Sequence, residues 1–211
     1  MSTVQLRALG RITRMQPRYA AYEGTVADGD IPLAGMAQLF AEIAPGNEVY
    51  RLMDAVLKAT SVRPGSQVVE REFGMLEVHS FAPDDIDQAV EVIEHTLGVQ
   101  VDDRLRPRVV SERLITNITA YQAQLVNRSR RGSMVIPGDT LLVVECAPAA
   151  YVMLAANEAE KAAAIDVVDV RPIGRFGRLY LTGTESEVET ARAAAIAALG
   201  DITGRDPEVA R

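Results

Sequence analysis

The chain repeats itself, and this constrains its fold more than any other feature. Glu42-Ile43-Ala44-Pro45 returns as Glu145-Cys146-Ala147-Pro148, and Lys58-Ala59 as Lys161-Ala162. Phe73-Gly74 returns as Phe176-Gly177, Leu76 as Leu179, and Ile12-Thr13 as Ile115-Thr116. Every pair stands 103 positions apart. A fixed offset over that many anchors marks a duplicated structural unit. Pro32 and Pro137 stand 105 apart, which predicts two extra residues in the first copy ahead of its Glu-Ile-Ala-Pro. A chain of 211 residues can bury two small cores. The expected domains are 1–100 and 108–205, joined by the polar, proline-containing run Val101-Asp102-Asp103-Arg104-Leu105-Arg106-Pro107.

Each copy carries the same order of elements. Apolar strands are expected over Met36 to Ile43 and Thr140 to Cys146. After Pro45, with Asn47 as N-cap, Val49, Leu52, Met53, Val56 and Leu57 fall on one face of a helix. Its counterpart is a small-residue helix from Ala149 to Ala163. Gln67 to Phe73 and Met75 to His79 read as strands, the latter alternating apolar and polar, with counterparts in Asp166 to Arg171 and Arg178 to Leu181. A second helix closes each copy. Ile86, Ala89, Val90, Ile93 and Leu97 line one, Val188, Ala191, Ala195, Ile196 and Leu199 the other, with stops at Gly98 and Gly200. Each half is therefore strands plus two helices, an α+β arrangement of helices packed on a small antiparallel sheet.

Chemistry is harder to find. The chain has two histidines, His79 and His95, neither with a His or Cys at ligand spacing, so no metal site is expected. His79 is read as packing in a strand and His95 as a surface residue. No P-loop, Gly-x-Ser-x-Gly or Gly-x-Gly-x-x-Gly motif occurs; Gly174-Arg175-Phe176-Gly177 is too short and opens no helix. Asp84, Asp85 and Asp87 stand where a helix begins and favour its positive end. The single cysteine, Cys146, lies in the apolar run Leu141 to Cys146 and reads as a buried structural thiol. With no nucleophile, acid or base constellation, no catalytic residues and no cofactor are expected, and the chain reads as a non-enzyme.

Charge points the same way. The net charge is −7 and the one basic cluster is Arg128, Arg130 and Arg131, read as a solvated loop or a subunit contact. Nucleic acid is not an expected partner, because phosphate binding needs clustered Lys and Arg. No apolar run approaches a membrane span, and the N-terminal Met1 to Arg7 has no apolar signal core, so a cytoplasmic location is expected and no membrane. From the residues alone, a tandem α+β protein that binds and senses a small molecule remains a rival reading, with an enzyme a weaker one.

Two segments bring in a resemblance: Asp54-Ala55-Val56-Leu57-Lys58-Ala59-Thr60-Ser61-Val62 and Glu158-Ala159-Glu160-Lys161-Ala162-Ala163-Ala164-Ile165-Asp166-Val167. Both resemble the helix, lysine and following strand of the bacterial microcompartment shell domain. Tyr22-Glu23-Gly24-Thr25-Val26, Ala59 to Gly65, Val69 to Gly74, Ala120 to Gln124 and Ala155 to Lys161 are similar to the permuted tandem-domain type of that family, known from carboxysomes. The resemblance implies two circularly permuted shell domains per chain and a homotrimer shaped like the six-fold ring of single-domain relatives. It also implies tiling with other shell proteins, trimers able to stack face to face, and a gated axial pore for small metabolites.

It further assigns residues. Glu70 and Arg71 are implied at the pore as the gate, and their counterparts Ile173 and Gly174 as pore lining from the second domain. Three Glu70 carboxylates on an axis would repel by roughly 4 kcal/mol per pair at 4 Å and a dielectric of 20, so Arg71 of a neighbouring chain is expected to close the ring. A φ/ψ change at the pair would open it, with Gly65 and Gly74 expected to permit the swing. Lys58 and Lys161 are implied at the outer edge, between trimers.

Overall fold

The computed structural model describes residues 4–206. The first half runs β1 (Gln5–Ile12), α1 (Pro17–Val26), β2 (Ala37–Ala44), α2 (Glu48–Ala59), β3 (Arg63–Glu70), β4 (Phe73–Ser80) and α3 (Pro83–Leu97). The second runs β5 (Arg108–Ile115), α4 (Ala120–Asn127), β6 (Thr140–Ala147), α5 (Val152–Ala162), β7 (Asp166–Arg171), β8 (Gly177–Gly183) and α6 (Glu185–Gly200). The sheets have strand orders β1-β2-β4-β3 and β5-β6-β8-β7, antiparallel throughout. The α+β class holds, with one strand and one helix more per half than the pattern indicated.

The missing elements are β1, α1, β5 and α4. Helix α1 buries Tyr19, Ala20, Tyr22 and Glu23, a run that no single stripe describes, because two different surfaces cover it. Helix α4 buries only Ala123. Asn47 does precede α2, but its side chain makes no capping bond. Residues Ala149–Tyr151 form a 3₁₀ turn ahead of α5.

The expected two-residue insertion is absent. Met15 N–H donates to Met36 O at 2.8 Å and Gly35 N–H to Met15 O at 3.0 Å; Ile118 N–H donates to Asp139 O and Gly138 N–H to Ile118 O, both at 2.9 Å. These bonds pair 15 with 118 and 36 with 139, so the offset stays constant through the loop. Pro32 and Pro137 simply occupy different places in it.

One face of the first sheet presents Leu39, Ala41, Ile43, Leu76 and Val78, all fully buried beneath Leu52, Val56, Ala89 and Ile93 of α2 and α3. The opposite face carries Gln38, Phe40, Glu42, Glu77 and His79, equally buried. There Phe40 meets the edge of Tyr151 from the other half, 6.2 Å between ring centroids. Gly10 makes room for it: a Cβ there would stand 2.2 Å from the Phe40 ring. One core therefore spans both halves. The joining segment is pinned rather than loose. Leu105 N–H donates to Arg7 O at 3.0 Å, Arg104 reaches Leu9 O at 2.8 Å, and Tyr151 donates to Leu105 O at 2.8 Å.

Candidate functional site

Strands β3 and β4 meet in a tight hairpin in which Glu70 pairs with Phe73, leaving Arg71 and Glu72 as the turn. Arg71 lies at φ +53°. Left-handed backbone costs a side chain with a Cβ about 1–2 kcal/mol. The position 103 residues on, Gly174, has φ +92°, where glycine bears no such cost. The two copies thus share a left-handed turn residue, and only the first puts a long cation on it. Arg71 Nε stands 3.6 Å from Glu70 Oε1, and the two side chains are 91% and 40% exposed. A pair that open contributes at most about 1 kcal/mol.

The two turns converge. A Cβ built on Gly174 would lie 3.2 Å from Glu70 Oε2. The charged turn of one half thus leans over the glycine of the other, with Ile173 beside it packed against the common core. Gly65 and Gly74, which flank the pair and could permit the swing or serve only as turns, both sit in close packing. A Cβ at Gly65 would strike Glu77 Oε2 at 2.0 Å, and one at Gly74 would strike Gly46 O at 2.3 Å.

Lys58 and Lys161 lie in the last turns of α2 and α5. Lys58 pairs with Asp54 at 2.7 Å and Lys161 with Glu158 at 3.0 Å, the lysines 74% and 61% exposed. Both lysine side chains are exposed.

The residues match known proteins across nearly the whole chain. The CsoS1D N-terminal domain family matches residues 6–103 and the BMC domain family residues 140–205. The carboxysome shell protein CcmP of Synechococcus elongatus is 47% identical over 96% of this chain and 95% of its own length. The carboxysome shell protein CsoS1D of Hydrogenovibrio crunogenus is 39% identical over 96% of this chain and 99% of its own. Among solved structures, the fused permuted hexameric shell protein of the RMM microcompartment superposes with a TM-score of 0.92 at 43% identity, covering 96% of this chain and all of that one. The double ringed trimeric shell protein of the same microcompartment also gives 0.92, at 39% identity over 97% of this chain and all of that one. The chain belongs to the bacterial microcompartment shell proteins.

As a tandem-domain shell protein it is a structural component, and the expectation of a non-enzyme agrees with its relatives. Among the described residues, no group of three or more His, Cys, Asp or Glu is placed to hold a metal ion. No described helix is long and apolar enough to cross a membrane.

The shell protein also holds a buried polar cluster that pattern reading missed. Tyr19 donates to Gln38 Oε1 at 2.9 Å, and Gln38 Nε2 donates to Glu77 Oε1 at 3.0 Å. His79 stands 3.1 Å from Glu77 Oε1 and 3.2 Å from Asp30 Oδ1. Burial draws the His79 pKa down, but the hydrogen bonds and charges of Glu77 and Asp30 outweigh it and leave the group raised. Glu23 completes the cluster; burial, then the charge of Glu77, pushes its carboxyl up to about 8. In the second copy Gln122, Val126, Ser133, Leu141, Tyr180 and Thr182 stand at these positions, so the cluster belongs to the first half alone. The alternation of β4 put His79 on a face but could not say that the face was covered. Cys146 is fully buried, and burial pushes its thiol pKa up, as suits a structural residue.

Proposed function

We propose that three copies of this chain close into a pseudo-six-fold trimer of the microcompartment shell, in the bacterial cytoplasm, and that small metabolites cross through a gated pore on its axis. Glu70 and Arg71 form the gate, and Ile173 and Gly174 line the pore between them. The convergence of Glu70 with Gly174 carries this reading, because it brings the corresponding turns of both halves to one place, as a common axis demands. The energetics suit a switch: a left-handed arginine costs about as much as an exposed ion pair returns, so neither turn conformation is strongly held. Arg71 crosses to the Glu70 of a neighbouring chain when closed. The trimer tiles with other shell proteins through Lys58 and Lys161, and pairs of trimers stack, a reading supported by the double ringed trimeric relative.

The test is a structure of the Glu70→Ala, Arg71→Ala double variant. Its pore should be open in every molecule. A pore that still closes, or a gate pair lying far from the axis, would refute the assignment.

A further inference from the structure

Both halves tie the loop after their first helix to the edge of their sheet, but only the first half adds a titratable pair to the tie. β3 is an edge strand in the order β1-β2-β4-β3, and its outer carbonyls need partners. The loop between α1 and β2 supplies them. Asp28 and Gly29 N–H donate to Gly65 O, both at 2.9 Å, and Asp30 N–H donates to Pro64 O at 2.8 Å. The second half repeats this backbone: Gly132 N–H donates to Val168 O and Ser133 N–H to Val167 O, both at 2.9 Å.

Side chains make the difference. Asp30 Oδ1 stands 3.2 Å from His79 Nε2, and Glu77 Oε1 stands 3.1 Å from His79 Nδ1. The imidazole is fully buried and Glu77 nearly so, while Asp30 is 37% exposed on its loop. An imidazolium donates to both carboxylates at once. A neutral imidazole has one N–H, so its other nitrogen turns a lone pair on a carboxylate oxygen. Glu77 has no room to withdraw: Oε1 also accepts from Gln38 Nε2 at 3.0 Å, and Oε2 fills the space that a Cβ on Gly65 would need. Asp30, on the exposed loop, is the carboxylate that moves. In the second half Thr182, Tyr180 and Ser133 stand in place of His79, Glu77 and Asp30, and none of them changes charge near neutral pH.

The other groups packed around the ring do not replace this tie. Arg63 on β3 reaches Asp30 Oδ2 at 3.5 Å but is 62% exposed, so it holds the loop weakly. On α1, Tyr19 donates to Gln38 of β2, and Glu23 lies against Gln38 and Glu77. Burial, then the charge of Glu77, raises the Glu23 carboxyl to about 8, so Glu23 adds little charge at neutral pH. Burial opposes a charge on His79, but the hydrogen bonds and charges of Glu77 and Asp30 outweigh it and hold the proton on the ring.

We propose that His79 and Asp30 form a pH-sensitive latch, which holds the loop of residues 27–35 on the edge of β3 while the imidazole is protonated and frees it when the proton leaves. Release uncovers the Pro64 and Gly65 carbonyls. It also frees the apolar tip of the loop, where Ile31 and Leu33 are 59% and 53% exposed and Ile31 rests against Gly24 of α1. Once Asp30 departs, the ring loses one of the two charges that hold its proton, so deprotonation and opening reinforce each other. The latch therefore holds at low pH and weakens as pH rises through the folded pKa of His79, with one proton limiting the change in the opening equilibrium to about tenfold per pH unit.

Hydrogen exchange of the full chain, read by mass spectrometry at several pH values and corrected for intrinsic exchange rates, tests this. Protection of residues 27–35 should fall as pH rises, by up to about tenfold per unit, while the matching loop 130–138 stays level. Asp30→Asn should abolish the fall, because a carboxamide meets either form of the ring, and the His79 imidazole resonance should titrate at lower pH in D30N than in the parent. Glu23→Gln should leave the fall in place. A D30N variant that keeps the pH response, an E23Q variant that loses it, or a His79 titration unmoved by D30N would overturn the latch. If D30N does not fold, the two loops of the parent still decide: an equal response in both, or none in residues 27–35, overturns it.

Discussion

Replacing Glu23 by glutamine should make the protein more stable, and the gain should grow with pH. Glu23 is 6% exposed on α1, and burial followed by the charge of Glu77 raises its carboxyl from 4.5 to about 8. The folded chain keeps this proton while the unfolded chain has released it. For an acid raised in this way, no penalty exists below the unfolded pKa, and the penalty builds until the folded pKa is reached. At pH 5 it is below about 1 kcal/mol, and by pH 8 it approaches about 4 kcal/mol, at 1.36 kcal/mol per pKa unit. Glutamine keeps the shape and polarity of the neutral acid without the titration. The stability difference between E23Q and the parent should therefore widen by roughly 3 kcal/mol between pH 5 and pH 8. His79 is raised too, and its stabilisation is lost as pH rises through its folded pKa, in the same direction. The parent's pH profile alone cannot separate the two groups; the difference between the variants can. Denaturant melts at fixed protein concentration and several pH values measure it. A gain equal at pH 5 and pH 8, or a loss at pH 8, would refute the burial argument.

Gly177→Ala would put a Cβ 2.1 Å from Ala149 O, and overpacking of that kind costs about 1–3 kcal/mol, read as a lowered denaturant midpoint. Lys58→Ala with Lys161→Ala should leave the native mass at three chains while extended sheets disappear from electron micrographs; unchanged sheets would count against the edge assignment. The open pore of the double gate variant should carry no penalty in thermal stability beyond about 1 kcal/mol, because the pair is exposed.

Where periodicity is regular, the fold was legible. Helices α3 and α6 bury Ile86, Ala89, Val90 and Ile93, and Val188, Ala191, Ala195 and Leu199, as the 3.6-residue spacing indicated. Where a segment serves two surfaces, it was not. Tyr22 and Glu23 are adjacent on α1 and both buried, one reaching the second half and the other the cluster around Glu77. No single-face pattern produces such a pair. The Glu70-Arg71 turn was legible as a point where the copies diverge, since Ile173 and Gly174 stand at the corresponding positions. Its backbone was not: only the structure gives φ +53° at Arg71, at the position that holds glycine in the second copy. The close packing at Gly65 and Gly74 was hidden for a related reason. Sequence identifies a glycine but not the atom that would collide with its Cβ.

Duplication in one chain changes what each copy of a contact can be made of. The contact inside the chain forms between tethered halves, whose effective concentration is high. It can therefore bury Asn157, Asp169 and the phenol of Tyr22, groups that need their partners and would be costly to expose and desolvate repeatedly. The corresponding surfaces elsewhere on the chain face water. They carry Asp54 paired to Lys58, a helix that caps itself at Thr119, and scattered apolar side chains that need no specific partner. The same reasoning covers the proposed pore. A single-domain subunit would repeat one turn six times around an axis, whereas two halves free to diverge can place the charged Glu70-Arg71 turn beside the neutral Ile173-Gly174 turn. Alternation gives each charged side chain a vacant neighbour to move over, which six identical turns could not provide.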